Sequence, residues 1–214
     1  MQFLRKYDKW VIALFMIISV VGFVGILSTP FHDLTLSLTP YNLWFLLGVL
    51  LFFHQKWYLK EAVWMLLVFV VGFFIEVLGV KTGVIFGEYS YGKTLGIKLF
   101  EVPITMGVNW LLMSYTSVKL ITQIKAPAVV KGLLAGLIMV SIDFVMEPVA
   151  IEFDFWTWSE SKIPIKNYIA WFAVGSFLNI LYFNISTVSL NKISMSLFLY
   201  LIAFFTTMRI CFTV

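Results

Sequence analysis

The chain has 214 residues, of which 61% are hydrophobic and only 12% charged, with a mean hydropathy of +0.97. A soluble domain carries about 25% charged residues, so these totals exclude a water-soluble globule. The net charge of +4 is spread over short segments and forms no basic face, which argues against a nucleic-acid partner.

The apolar residues come in long runs, and a run of roughly 18 reads as a membrane-spanning helix. Seven are read in chain order, at residues 10–27, 38–53, 62–80, 102–121, 128–145, 167–188 and 193–212. The first follows a basic opening, MQFLRKYDKW, as a secretory signal would. Its apolar stretch is too long for a signal core, and Ser28, Thr29, Pro30 and Phe31 make a poor cleavage site. The second run is short and has Pro40 near its start. Every span must be helical, because lipid offers no partner to an open strand and the alternation of a barrel is absent. The expected fold class is all-α: a polytopic transmembrane helical bundle of about seven spans, one integral membrane domain over residues 1–214. Residues 81–98 read KTGVIFGEYSYGKTLGIK, too polar to span, so a Gly/Tyr-rich loop or re-entrant segment is expected around 81–100. Cys211 is the single cysteine, so no internal disulfide forms.

Lysine and arginine in short loops set orientation. With the N-terminus in the cytoplasm, Arg5, Lys6, Lys9, Lys56, Lys60, Lys119, Lys125, Lys131 and Lys192 lie inside and the other six basic residues outside. The expected location is the cytoplasmic (inner) membrane. Carboxylates divide more sharply: nine of eleven fall on the outer side, with only Asp8 and Glu61 inside.

An ionisable group within a span is costly and suggests a functional site. Glu76 lies near the exit of the third span, Glu101 at the entry of the fourth, and Asp143 and Glu147 at the exit of the fifth. The last two are four apart, on one helix face. Pro148 follows them and is expected to end or kink the helix, exposing carbonyls near the site. The plain alternatives are a solvated interface position for Glu101 and a buried interhelical hydrogen bond for Glu76 and Asp143. Residues 153–158, FDFWTW, carry two tryptophans. Composition favours an aromatic belt at the membrane interface; the functional alternative is indole faces that stabilise a cation.

No dinucleotide fingerprint or phosphate loop is present. His32 and His54 fall in loops on opposite sides and cannot build a multi-histidine metal cluster. No Ser-His-Asp set or repeated acidic diphosphate motif is evident. What remains is acid–base chemistry by carboxylates in an apolar pocket, with no cofactor and no metal.

Two blocks then become specific. Glu76, Gly79, Thr82, Gly83, Phe86, Gly87, Tyr89, Tyr91, Val102, Pro103 and Trp110 form the first. Asp143, Pro148, Val149, Ala150, Trp156, Trp158, Pro164, Asn167 and Trp171 form the second. Together, over roughly residues 70–185, they resemble the bacterial and archaeal carotenoid biosynthesis protein family, which includes the acyclic carotenoid hydratases of the bisanhydrobacterioruberin hydratase type. The resemblance implies a cofactor-independent enzyme that adds water to the terminal double bond of an acyclic carotenoid held in the bilayer. A carboxylic acid protonates the alkene, and water captures the tertiary cation. Glu76 or Asp143 is the expected proton donor, with Glu147 or Glu101 positioning the water. Tyr89, Tyr91, Trp110, Trp156, Trp158, Asn109, Asn167 and Trp171 are the expected substrate-binding residues. The expected partners are the carotenoid, membrane lipids and other carotenoid enzymes, with no nucleic acid. Two rivals stay open: a lycopene cyclase, in which an internal double bond captures the same cation, and a non-catalytic scaffold or small proton-coupled transporter.

Overall fold

The structure is a computed structural model and describes residues 8–160, 162–185, 191 and 193–212. The expected end of the sixth span at residue 188, and Arg5, Lys6 and Lys192 of the charge count, lie outside the described residues. Among the described residues there are eight helices: α1 (Asp8–Leu27), α2 (His32–Ser37), α3 (Thr39–Phe52), α4 (Leu59–Thr82), α5 (Thr105–Ile121), α6 (Ala128–Glu152), α7 (Ile165–Ile185) and α8 (Ile193–Phe212). Four short strands accompany them: β1 (Tyr89–Tyr91), β2 (Lys98–Leu99), β3 (Val102–Pro103) and β4 (Trp156–Trp158). Each of the seven expected spans corresponds to one long helix, and the protein is a helical membrane bundle. Strand pairing in the connecting segments is the addition that apolar runs alone do not reveal.

Five helices, α1, α4, α6, α7 and α8, are long and apolar enough to cross a membrane by themselves. The other two long helices differ for different reasons. α3 has 14 residues, or about 21 Å of rise, and follows α2 after a single residue. α5 has 17 residues, and all but one of them are buried. It is the central helix, surrounded by protein. Its Asn109, Ser114, Tyr115, Thr116, Ser117 and Lys119 are therefore tolerated at membrane depth.

The most extensive helix pairing is α6 against α7. Gly132 and Gly136 are one turn apart on α6, and a Cβ on Gly136 would stand 3.0 Å from the backbone nitrogen of Ser176. Small residues permit this close backbone approach between membrane helices, where packing replaces the hydrophobic drive. Of the end or kink expected at Pro148, the end does not occur, and α6 runs on to Glu152. Proline has no N–H for the carbonyl four residues back, which is that of Phe144. Arg209 of α8 donates from Nη1 to this oxygen at 3.4 Å, and its guanidinium sits 5.2 Å from the Phe144 ring centre. The carbonyl freed by Pro148 thus ties α8 to α6.

At the end of the bundle where α3 stops and α4 begins, a buried polar network joins five segments. Glu61 is fully buried and Lys119 is 5% exposed, so neither is the surface charge that loop counting expects. Lys119 pairs with Glu61, and Tyr182 donates to the same carboxylate at 2.9 Å. His54 Nε2 lies 3.4 Å from Glu61 and 2.8 Å from the Lys56 carbonyl, while Nδ1 meets the Tyr115 hydroxyl at 2.7 Å. Asn191 donates to Tyr115 and to the Leu50 carbonyl, both at 2.9 Å. Buried ions endure only when paired and hydrogen-bonded, and these are.

Breaking such a pair leaves a buried charge uncompensated. Lys119→Met is expected to destabilise the bundle by about 3–5 kcal/mol, measured as thermal unfolding in detergent. Adding Glu61→Gln should recover part of the loss, because no charge then remains without its partner.

Candidate active site

The opposite end of the bundle is closed by a two-stranded antiparallel ribbon. β1 pairs with β4 so that Tyr89 faces Trp158, Ser90 faces Thr157 and Tyr91 faces Trp156. Side chains alternate along a strand. Tyr89, Tyr91, Trp156 and Trp158 therefore share the inward face and are buried, while Ser90 and Thr157 are exposed. Backbone bonds extend the pairing: Ser159 N to Glu88 O and Gly92 N to Phe155 O, both at 3.0 Å. Asp154 accepts from Lys93 N at 3.0 Å, and Thr94 donates to Phe153 O at 2.8 Å. The aromatic-belt reading of residues 153–158 is thereby overturned. Trp156 and Trp158 are 6% and 4% exposed and point into the protein, because pairing with β1 turns them away from lipid.

The four aromatic side chains all carry hydrogen-bond donors, and all four donate to carboxylates. Glu76 of α4 accepts from Tyr89 Oη at 2.5 Å and Tyr91 Oη at 2.7 Å on Oε2. Its Oε1 accepts from Trp110 Nε1 of α5 at 2.8 Å. Glu147 of α6 accepts from Trp156 Nε1 at 3.0 Å and Trp158 Nε1 at 3.1 Å on Oε2. Its Oε1 accepts from Asn167 Nδ2 of α7 at 2.9 Å. The same Nδ2 reaches Asp143 Oδ2 at 3.2 Å, so one amide bridges two carboxylates one turn apart. Burial, then the charge of Glu76, pushes the Tyr89 and Tyr91 phenols far above their usual range, so both remain protonated donors.

Asp143 differs from its neighbours. It is 1% exposed, and its Oδ1 is buried without a hydrogen-bond partner among the described residues. An orphan oxygen at such depth calls for an explanation. Glu76 and Glu147 each have three donors, most of what a carboxylate can accept, whereas Asp143 has one.

The remaining expected residues fall as follows. Trp171 stacks on Trp110 with ring centres 4.0 Å apart and planes 7° from parallel, fixing the indole that serves Glu76. Gly79 lies one turn after Glu76, and a Cβ there would come within 2.9 Å of the Tyr89 hydroxyl. Only glycine leaves the phenol room to reach the carboxylate. Glu101 is the exception. It is exposed, with φ of +70°, in the turn between β2 and β3 that it forms with Phe100 at φ of +53°. The structure brings Glu76, Asp143 and Glu147 under the ribbon and leaves Glu101 outside it. Asn109 is buried, and its side chain makes no hydrogen bond among the described residues.

Beside the carboxylates lies a cavity of about 500 Å³ bounded by α1, α2, α3, α5, α6 and α8. Its lining is overwhelmingly apolar. It grades from the exposed Ile17, Val21 and Tyr41 of α1 and α3 to the buried Met106, Met113 and Ile142. Trp156, Asn109 and Met146 form its wall toward the site. No carboxylate lines it among the described residues. Trp156 shows its ring to the cavity and its N–H to Glu147.

Sequence reasoning did not find the network of His54, Glu61, Tyr115, Lys119 and Tyr182. The signal was available in part: Tyr115 and Lys119 are four apart in an apolar helix, as Asp143 and Glu147 are.

The fold and site define a polytopic helical membrane protein with buried carboxylates beside an apolar cavity. Residues 37–214 match the family described as carotenoid biosynthesis protein, and the chain belongs to that family. The match takes in α3 and α8, beyond the residues 70–185 that carry the motifs. Over 110 residues the chain is 34% identical to a protein named bisanhydrobacterioruberin hydratase from Haloarcula japonica. That alignment covers 48% of this chain and 38% of the relative, so the likeness spans well under half of the relative's length. No solved structure matches.

Removing one donor should weaken the cradle without emptying it. Tyr91→Phe deletes a hydroxyl bond to Glu76, and a hydrogen bond to a charged group contributes about 1.5–3 kcal/mol. A fall in unfolding temperature in detergent, with the bundle still helical by circular dichroism, is the expected result.

Proposed function

We propose that the protein is a hydratase that adds water across the terminal carbon–carbon double bond of an acyclic carotenoid. The observation that carries this reading is the pairing of Asp143, with its unpartnered buried oxygen, and Glu147, with three donors, across the shared Asn167 amide. Like charges this close resist joint ionisation. One proton between the two relieves the repulsion, and Asp143, with its bare Oδ1, is the place for it. Glu147 is the ionised partner.

The reaction then proceeds without redox change. Asp143 gives its proton to the less substituted carbon of the terminal alkene, and the π electrons form the new C–H bond. A tertiary cation remains, beside indole and phenol faces that favour positive charge. Water attacks the cation through oxygen, and its proton passes to the carboxylate pair. The sum is alkene plus water giving a tertiary alcohol, with the pair returned to its starting state. Glu76, held by Tyr89, Tyr91 and Trp110, is a fixed negative charge that stabilises the cation from a distance.

The apolar cavity suits the substrate. A long hydrocarbon moves from lipid into an apolar slot with little change of environment, so the bundle can take it up directly from the bilayer. Met146 is one turn from Asp143 on α6 and lines the cavity wall. Its flexible side chain is the element that yields when the alkene reaches the acid.

General acid catalysis contributes about 10²–10⁴-fold. Asp143→Asn keeps the shape and loses the proton, so it should lower formation of the hydroxylated carotenoid by that factor, with membrane insertion unchanged. Pigment extraction from cells supplied with an acyclic carotenoid, followed by mass analysis, measures it. Full activity in this variant and in Glu76→Gln would show that the acid lies elsewhere.

A further inference from the structure

The proposed reaction needs a water molecule at the cation, in a cavity that is almost wholly apolar. A lone water is not held by hydrocarbon walls; it needs two or more polar partners. The polar side chains on the lining therefore narrow the choice. Thr35 is engaged, donating to the Phe31 carbonyl at 2.8 Å. Thr39, Asn42 and Tyr200 are only half-buried and Tyr41 is exposed, so none of them belongs to the buried end of the lining. The Trp156 N–H is taken by Glu147. Asn109 is different. It is 8% exposed, lies among the buried end of the lining, and its amide makes no hydrogen bond among the described residues.

The Asn109 amide thus borders the cavity with its hydrogen-bonding capacity unused, and a polar group in such apolar surroundings gains by meeting a water. Asn109 also precedes Trp110, whose N–H is committed to Glu76, so its place on α5 is tied to the carboxylate cluster. We infer that Asn109 is the positioning residue for the attacking water: its amide holds the water at the inner end of the cavity and thereby decides hydration over loss of a proton. This rests on the hydratase reading above. The amide carbonyl accepts one water hydrogen, the carboxylate pair that takes the proton accepts the other, and an oxygen lone pair is left for the cation. When no water is held, the cation has an exit that makes no new carbon–oxygen or carbon–carbon bond. It returns a proton from an adjacent carbon to the Asp143 carboxylate, and the electrons of that C–H bond rebuild a double bond.

The two exits are told apart in deuterium oxide. Purified protein in nanodiscs is given an acyclic carotenoid, and both the alcohol and the recovered alkene are analysed by mass spectrometry. With Asn109→Leu the alcohol is expected to fall at least about ten-fold, the scale of one lost hydrogen bond in a transition state. Deuterium should still enter the recovered alkene at the carbon next to the tertiary centre, because protonation by Asp143 persists. Asn109→Ser keeps a hydroxyl in the same place and should retain more alcohol than the leucine variant. Carotenoid that co-purifies with both variants shows that the cavity still forms. Undiminished alcohol in Asn109→Leu overturns the inference, as does equal loss of alcohol in both variants or loss of deuterium exchange together with the alcohol. No alcohol from the unaltered protein overturns the hydration reading itself, so the two failures stay distinct.

Discussion

Three carboxylates buried at one end of a membrane bundle need hydrogen-bond donors, and lipid has none to give. An ion in such surroundings is tolerable only where protein atoms replace the water it has lost. Here most of the replacement comes from one small device, the β1–β4 ribbon. Its register sets two tyrosines and two tryptophans on the same face, and each of the four aims a donor at Glu76 or Glu147. Trp110 and Asn167, from α5 and α7, supply the rest. The helices α4, α5, α6 and α7 are thus joined to the ribbon through the carboxylates.

The two ends of the bundle solve the same problem with different residues. At one end Glu61 has a cation, Lys119, together with Tyr182 and His54, and its charge is balanced locally. At the other end Glu76, Asp143 and Glu147 have neutral donors only, and Asp143 is short of one. Charge balance with full hydrogen bonding is what a stabilising pin needs. The other cluster, with neutral donors only and one bare oxygen beside an apolar cavity, lacks that balance, and the proposed carbocation chemistry makes use of the lack. The contrast in charge balance distinguishes the two networks without reference to motifs.

Much of this was legible in the residues. The apolar runs gave the long helices because lipid forces helical backbone, and the Asp143–Glu147 spacing gave the shared face because the helix period is local. Ribbon pairing was not legible. FDFWTW and GEYSY are far apart in the chain, and each by itself looks like interfacial aromatic composition. Only their register turns them inward. Glu101 misled for a related reason: its nearness to Val102 and Pro103 suggested a helix entry, whereas positive φ values at Phe100 and Glu101 make a turn that points it outward. Lys119 and Glu61 were placed at the surface by position relative to span ends, which cannot register a partner on another helix.

In the proposed reaction, water delivered to a cation made by the carboxylate pair ends up on the carotenoid. The most direct measurement supplies purified protein and an acyclic carotenoid with water enriched in heavy oxygen, and follows the product by mass spectrometry. The expected product is heavier than its precursor by one water and carries the heavy isotope in a tertiary hydroxyl. A product isomeric with its precursor and free of the label, as ring closure would give, contradicts hydration.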